Sequence, residues 1–309
     1  MNRRAFLASA AALSACSQSP ATSSYSEKKI AVTMDDFALG FDKVLSPLER
    51  NAAILAAFKS HSHKAAGFVS GNLATSDGAR SDLAHEVIKS WSDAGHLIGN
   101  HTWSHKNSSQ TEPEIVKADI LRNDEYLAQF TAYEKVFRFP YLAEGKTVEK
   151  IETYRAFMDE KGFQNAAVTI DTIDWFVSER LENRISENPD ADLSGYRDYY
   201  VDSVLLLANL KHDLARQLGF DALPHSLLVH HNILNGLFLQ DVMDALASDG
   251  WMFVDAHDML KHPLYRLKPD TATRGRSLLS VLAQEAGLDA RLPEQYRGFG
   301  KETLESLGL

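Results

Sequence analysis

A single cysteine, Cys16, leaves the chain no partner for an internal disulfide. Basic residues are also in deficit: 32 Lys and Arg stand against 42 Asp and Glu, a formal net charge of −10. No basic patch offsets that deficit, so nucleic acid is not expected as a partner, and a neutral or cationic substrate suits the surface better. No glycine-rich phosphate loop follows any of the strand-like segments, which argues against a nucleotide-binding doubly wound fold. There is no internal repeat. Past the N-terminus no apolar run is long enough to span a bilayer. What remains is a chain of 309 residues, 44% hydrophobic and 24% charged, which is enough to bury the core of one large α/β domain or two small ones.

The N-terminus has its own grammar. Arg3-Arg4 is followed by Ala5-Phe6-Leu7 and a short apolar run to Ala15, a basic region and an apolar stretch too short for a mature membrane helix. The pair of arginines resembles a twin-arginine export signal. Leu13-Ser14-Ala15-Cys16 resembles the lipobox of bacterial lipoproteins, in which the cysteine carries lipid. These resemblances imply a signal peptide over residues 1–15, a lipid anchor at Cys16, a flexible Ser/Thr/Ala tether over 16–27, and a protein exported to the periplasm or cell envelope.

From Lys28 onward, short apolar runs alternate with longer helical patterns, the signature of βα units around a largely parallel sheet. Strands are expected at Ile30–Thr33, Ala65–Val69, His96–Gly99, Lys135–Phe139, Ala166–Ile170, Ser226–Val229 and Trp251–Val254. Capping boxes are expected at Ser46/Glu49, with Pro47 in the first helical position, and at Thr111/Glu114, opening a helix to about Phe130. Further helices are expected from about Ser81 to Gly95, over Thr147–Lys161, around Ser194–Leu218 and near Asn235–Ser248. The count of about seven strands points to a distorted (β/α)7-type barrel, TIM-barrel-like. Residues 28–262 form that domain, and 263–309 read as a helical C-terminal extension packed on its outside.

Five polar clusters each fall just past the end of an expected strand: Asp35-Asp36, His101-Thr102-Trp103-Ser104-His105, Arg138-Phe139-Pro140-Tyr141, Asp171-Thr172-Ile173-Asp174-Trp175 and His230-His231-Asn232. In a (β/α) barrel all of these ends open on one face, where catalysis takes place. Two histidines four apart, placed on one helical turn, reach a single ion. A carboxylate from a neighbouring strand end completes a two-histidine, one-carboxylate set with positions left for water and substrate. Such a set also serves Fe(II) oxygenases, but those carry their first two ligands as H-x-D, and no such pair is found here. Asp35 and Asp36, as neighbours on a strand, are expected on opposite faces, which suits one base and one ligand better than a glycosidase pair.

Taken in this order, the five clusters resemble the motifs of the polysaccharide deacetylases, carbohydrate esterase family 4, also called the chitooligosaccharide deacetylase homology domain. The resemblance covers about residues 28–262 and implies a barrel of the glycoside hydrolase/deacetylase kind. It also implies roles. Asp36, His101 and His105 would hold the metal, Zn2+ first, with Co2+, Ni2+, Fe2+ or Mn2+ as alternatives. Asp35 would be the general base, Arg138 the residue that orients it, and Tyr141 the donor of a backbone N–H to the oxyanion. Asp174 would support His230, the general acid, while Trp175 walls the acetyl pocket. Either of the adjacent histidines could serve as the acid, and His230 is the one in register with the family motif; His231 then reads as a packing or substrate-facing residue and is grouped with Trp175 at the pocket.

These roles agree with what amide hydrolysis needs: an activated water, a stabilised oxyanion and a protonated leaving amine. The expected activity is metal-dependent removal of N-acetyl groups from an acetylated glycan: peptidoglycan, chitooligosaccharide or exopolysaccharide. An O-acetyl carbohydrate esterase and a non-catalytic carbohydrate-binding lipoprotein of the same fold are the alternatives. One departure from the family stands out, since Phe37 follows the two aspartates where glycine is frequent. Asp171 either supports the site or caps a turn. Asn100 and Trp103 read as residues that orient the metal histidines, and His61, His63, His85, His96, His212, His225, His257 and His262 as structural or surface residues.

Overall fold

The computed structural model describes residues 27–75, 81–271, 275–289 and 301–309. The expected signal peptide, Cys16 and most of the tether therefore lie outside the described residues. The first strand, β1 (Lys29–Asp36), shows why the chain folds as it does. Ile30, Val32 and Met34 point into a large apolar layer shared with helices, whereas Ala31 faces a second cluster inside the ring. A strand covered on both faces reads as a nearly continuous apolar run, and this one does.

Each strand is then returned by helical chain. Helix α1 (Pro47–Ser60) leads to β2 (Ala66–Val69), and α2 (Gly71–Thr75) with α3 (Asp82–Asp93) leads to β3 (Leu97–Asn100). Helix α4 (Pro113–Leu127) precedes β4 (Tyr133–Phe137), and α5 (Val148–Lys161) precedes β5 (Gln164–Asn165) and β6 (Ile170–Asp171). Helices α6 (Asp174–Glu187) and α7 (Ser194–Gln217) lead to β7 (Pro224–His230), and α8 (Ile233–Ser248) to β8 (Met252–Phe253). Short helices α9 (Ala256–Met259), α10 (Leu278–Glu285) and α11 (Lys301–Ser306) complete the series.

All of the strand pairings are parallel, in the order β5-β4-β3-β2-β1-β7-β6, with β8 joined to the start of β1. The two ends of that order belong to one stretch of chain. Ala166 N–H donates to Phe137 O (2.7 Å) on one side, and Thr169 N–H to Ser226 O (3.2 Å) on the other. Residues 164–171 thus leave β4 and arrive at β7, curling the sheet into a distorted (β/α)7-type barrel. The expected strand Ala166–Ile170 is corrected by this: regular pairing occurs before it at Gln164–Asn165 and again only from its last residue, Ile170, because the segment must switch partners in the middle.

Two further expectations change. The capping box at Ser46/Glu49 forms in both directions, but the one at Thr111/Glu114 does not. Helix α4 starts one residue later, with Glu112 at the cap and Pro113 at the first position, and Glu114 pairs with Lys117 instead. The C-terminal extension is also more than an outer layer. Leu264, Leu278 and Leu279 join Ala31, Phe68 and Val136 in the inner cluster, and Leu278 N–H donates to Val168 O (2.7 Å).

Candidate active site

At the end of β1 the backbone turns left-handed, with φ 77° at Asp36 and 62° at Phe37. The turn cancels the alternation expected of neighbouring strand residues. Asp35 and Asp36 therefore line the same cleft rather than opposite faces. Asp36 Oδ1 lies 3.3 Å from His101 Nε2 and 3.1 Å from His105 Nε2. The histidines do not share a helical turn, as their spacing had implied. They lie in a loop whose Thr102 (φ 63°) and His105 (φ 52°) are left-handed, and the loop is pinned from below. Asn100 Oδ1 accepts from Thr102 N–H (2.8 Å), Asn123 Nδ2 donates to the same oxygen (3.0 Å), and Asp119 accepts from Ser104 N–H and Oγ (2.8 and 2.7 Å). Asn100 thus acts on the turn that carries the histidines, whereas Trp103 packs under Arg122 (4.0 Å).

Do these donors suit a metal? His101 Nδ1 contacts the Arg138 carbonyl oxygen at 2.8 Å. A carbonyl only accepts, so Nδ1 carries a proton, and when Nε2 gives up its own proton its lone pair is aimed at Asp36 and free for a cation. Asp36 Oδ1 is buried yet accepts no hydrogen bond of good geometry. Burial alone would raise its pKa, but the two imidazoles and His230 hold it well below the ordinary value. The donor atoms of Asp36, His101 and His105 all lie within 4.8 Å of one another, and no other such group occurs among the described residues. Two imidazoles and one carboxylate with an orphaned oxygen fit a divalent cation of the Zn2+ type.

Beside this triad, Asp35 is buried and receives Arg138 Nη1 at 2.7 Å, while its other oxygen lies 3.7 Å from His101 Nε2. Arg138 has little freedom. Its Nε donates to Ala166 O (3.0 Å) and its Nη1 also to Thr33 Oγ1 (2.9 Å), and the guanidinium stacks 4.1 Å above the Phe68 ring. A guanidinium so fixed keeps a carboxylate oriented and compensates its charge inside the barrel.

Across the cleft, Asp174 is the first residue of α6 and its side chain is fully buried. Its Oδ1 contacts His230 Nδ1 at 2.7 Å and accepts from Thr172 Oγ1 at 3.0 Å. Its Oδ2 accepts from His230 N–H (2.8 Å), Asn232 Nδ2 (3.1 Å) and Asn235 Nδ2 (2.8 Å). Burial works against a charged imidazole at His230, but Asp174 outweighs it, helped by Asp36 and Asp35, and the pKa rises to about 10. His230 is accordingly protonated near neutrality, with Nδ1 committed to Asp174 and Nε2 left for the cleft.

The cleft has a volume of about 500 Å³, within the usual range for small-molecule sites. Besides the residues above, it is lined by Tyr141, Trp175, Asp171 and Gly275. Tyr141 is left-handed (φ 58°), and its exposed ring lies 4.6 Å from that of His105. Trp175 is half exposed at the rim. His231 is the one expected pocket residue that is not brought here. Next to His230 on the chain, it points the other way, stacked on Phe37 (4.9 Å) and 3.3 Å from Asn51 Oδ1, and burial lowers its pKa to about 3. It is a packing residue. Sequence reasoning missed Asn235 and Thr172 around Asp174, Thr33 behind Arg138, and Gly275 from the C-terminal extension. Of these Thr172 carried a signal as a member of the fourth polar cluster, and Asn235 as the residue three past Asn232, which caps α8.

Residues 22–156 match the family profile described as polysaccharide deacetylase. Over 152 residues the chain is 30% identical to a peptidoglycan-N-acetylglucosamine deacetylase of Bacillus cereus, covering 49% of this chain and 48% of the relative. The chain thus spans about half the length of the curated relatives it matches. Among solved structures, a peptidoglycan N-acetylglucosamine deacetylase is similar with a TM-score of 0.50 and 22% identity, over 76% of this chain and 89% of that one. A carbohydrate esterase family 4 pseudoenzyme from Bacillus anthracis gives 0.50 and 17%, over 77% and 66%. These structural likenesses speak for the fold alone, since active and inactive proteins share it. By sequence, residues 22–156 are similar to polysaccharide deacetylases, and the barrel as a whole is similar in fold to the solved structures named above.

Proposed function

We propose that this protein is a metal-dependent hydrolase that removes N-acetyl groups from N-acetylglucosamine units of an envelope or extracellular glycan. One observation carries the reading. A candidate metal triad, a carboxylate clamped by arginine and a histidine clamped by a carboxylate all face one cleft. The similarity of about half of the chain to the Bacillus cereus deacetylase points to the same substrate class.

Asp36, His101 and His105 would hold the ion. When bound there, a divalent cation polarises the acetyl carbonyl and lowers the pKa of water toward about 7. The protein groups do the rest. Asp35, held by Arg138, takes the proton of the attacking water. The Tyr141 N–H donates to the oxygen that becomes negative as the tetrahedral centre forms. His230, kept protonated by Asp174, delivers its Nε2 proton to the departing nitrogen, and the C–N bond breaks to give acetate and a free amine. The walls of the cleft, with Trp175 at the rim, hold the sugar so that the acetyl group enters first.

The test is direct. Metal-loaded protein is incubated with N-acetylglucosamine oligomers, peptidoglycan and acetylated xylan, and acetate is followed. The expected result is release from an N-acetylated substrate, abolished by a chelator and restored by Zn2+. Release from xylan alone would make the protein an O-acetyl esterase, and release from nothing would overturn the reading. No helix among the described residues is long and apolar enough to cross a membrane. Action at the cell envelope through an anchor at Cys16 belongs to the same proposal, and labelling with a radioactive fatty acid in wild type and Cys16→Ala tests it.

A further inference from the structure

Behind one wall of the cleft lies a buried lysine that the chemistry above does not use. Lys211, on α7, is 8% exposed. Its ammonium donates to Ser280 Oγ (2.7 Å) and Ser277 Oγ (3.2 Å), at the start of α10. Among the described residues, the acidic group within ion-pair distance of it is Asp171, with Oδ1 3.8 Å away. A buried ammonium needs a compensating charge, and this one has found it in a carboxylate that belongs to the cleft.

Asp171 is the end of β6, beside Leu228 and two residues ahead of the register of His230. It lines the cleft together with Asp35 and His230, its side chain is 32% exposed, and no hydrogen bond from any described residue reaches its carboxylate. It neither ligates the candidate metal nor touches the acid–base pair. Its neighbour Thr172 turns away to bond Leu228 O (2.9 Å) and Asp174. A carboxylate anchored from behind and open to the cleft in front is an acceptor for hydroxyl groups. Neutral sugars offer many such donors, and their selection by fixed carboxylates follows from the directionality of charge-assisted hydrogen bonds.

The anchor comes from two parts of the chain beyond the matched residues 22–156. Lys211 lies between the fourth and fifth polar clusters, and Ser277 and Ser280 lie in the C-terminal extension. That extension is tied to the barrel at three further points, one of them on the cleft residue Leu142. Gly275 N–H donates to Leu142 O (3.4 Å), Leu278 N–H to Val168 O (2.7 Å), and Arg155, paired with Glu144, donates to Pro269 O (2.8 Å). Gly275 itself forms part of the cleft lining.

We infer that Asp171, positioned by Lys211 and the Ser277/Ser280 turn, is a sugar-recognition residue of the cleft, accepting a hydroxyl of the bound glycan. This rests on the deacetylase reading for the substrate class, but its test separates the two. Affinity for an N-acetylglucosamine oligomer is measured by calorimetry, and KM and kcat by acetate release, for wild type, Asp171→Asn and Lys211→Met. Asn keeps the shape of Asp, so thermal melting and metal content should match wild type. The expected outcome for Asp171→Asn is an affinity loss and a KM rise of about tenfold or more, with kcat moved far less. Lys211→Met should shift KM the same way, by less. Unchanged affinity and KM in Asp171→Asn overturn the inference while leaving the deacetylase reading intact. A fall in kcat at constant KM also overturns it, since it would place Asp171 in the chemical step. If wild type binds the oligomer without turnover, the deacetylase reading fails and the affinity comparison still decides on Asp171. A wild type that neither binds nor turns over sinks both.

Discussion

Asp174 has both oxygens occupied, and every partner is a donor. That arrangement selects the ionised carboxylate. The surrounding charge and hydrogen bonds hold its pKa below the ordinary value despite burial, which acts to raise it. Its task is to fix which nitrogen of His230 faces the substrate and to keep the ring charged. Asp174→Asn keeps the shape but offers an amide where Nδ1 needs an acceptor, and it leaves Asn232 and Asn235 facing a donor. The expected loss in kcat is roughly 100- to 10,000-fold, with bound metal per chain unchanged. Acetate release and metal analysis on one preparation check this. A variant that retains a third of the wild-type rate would remove His230 from the role of acid.

The loop after β1 is where an element departs most from what its residues prefer. Phe37 is fully buried and left-handed, with its ring edge-on to Trp91 (4.9 Å) and stacked on His231. Gly67 on β2 makes room for it, since a Cβ there would stand 2.6 Å from the Phe37 ring. Phe37→Gly removes core contacts worth about 3–5 kcal/mol and relieves left-handed strain of about 1–2 kcal/mol. A net destabilisation of about 1–4 kcal/mol follows, seen as a lower urea midpoint at unchanged slope. An equal or higher midpoint would show that strain outweighs packing at this position.

The same loops show what was legible in the sequence. The Ser46/Glu49 box and the five strand-end clusters were readable, because caps and strand alternation act over a few neighbours. The convergence of the clusters was also readable, since a parallel barrel puts all those ends on one face. The details that aim the side chains were not. Apart from Ser62, every described non-glycine residue with positive φ lies in three loops of the cleft: Asp36 and Phe37, Thr102 and His105, Tyr141 and Leu142. Asp and His tolerate a left-handed backbone better than most types, yet no glycine stands at any of the six positions to announce it. Asp35 and Asp36 were accordingly expected to diverge, and His101 and His105 to share a helix. Helix α6 was missed because it begins at Ile173-Asp174 with no capping side chain. The strand at 166–170 was misplaced because its partners are far apart in sequence.

At the scale of the molecule, buried imidazoles govern how stability varies with pH. Burial lowers His63 to about 4 and His96, His225 and His231 to about 3, from the ordinary 6.5. Two of them are held neutral by the backbone, with Val32 N–H donating to His63 Nε2 (3.1 Å) and Ala65 N–H to His96 Nδ1 (3.0 Å). In each case the unfolded chain binds a proton that the folded one refuses. Stability is therefore complete above about pH 6.5, falls as pH drops, and stops responding to these groups below about 3. Asp36 and Asp174, both depressed, contribute stability above the unfolded carboxylate pKa and lose it further into acid. His230 acts in the opposite direction: its contribution is full below 6.5 and is lost as pH rises toward about 10. His225 isolates the effect, because it is fully buried among His212 and Trp251 and neither ring nitrogen has a hydrogen-bond partner among the described residues. His225→Leu removes one such site and leaves no polar group behind. The slope of unfolding free energy against pH, between about 6 and 4, should then fall by about 1.4 kcal/mol per pH unit, with stability above pH 7 nearly unchanged. Urea titrations across that range measure it, and a slope equal to wild type would mean that His225 is already protonated in the folded protein.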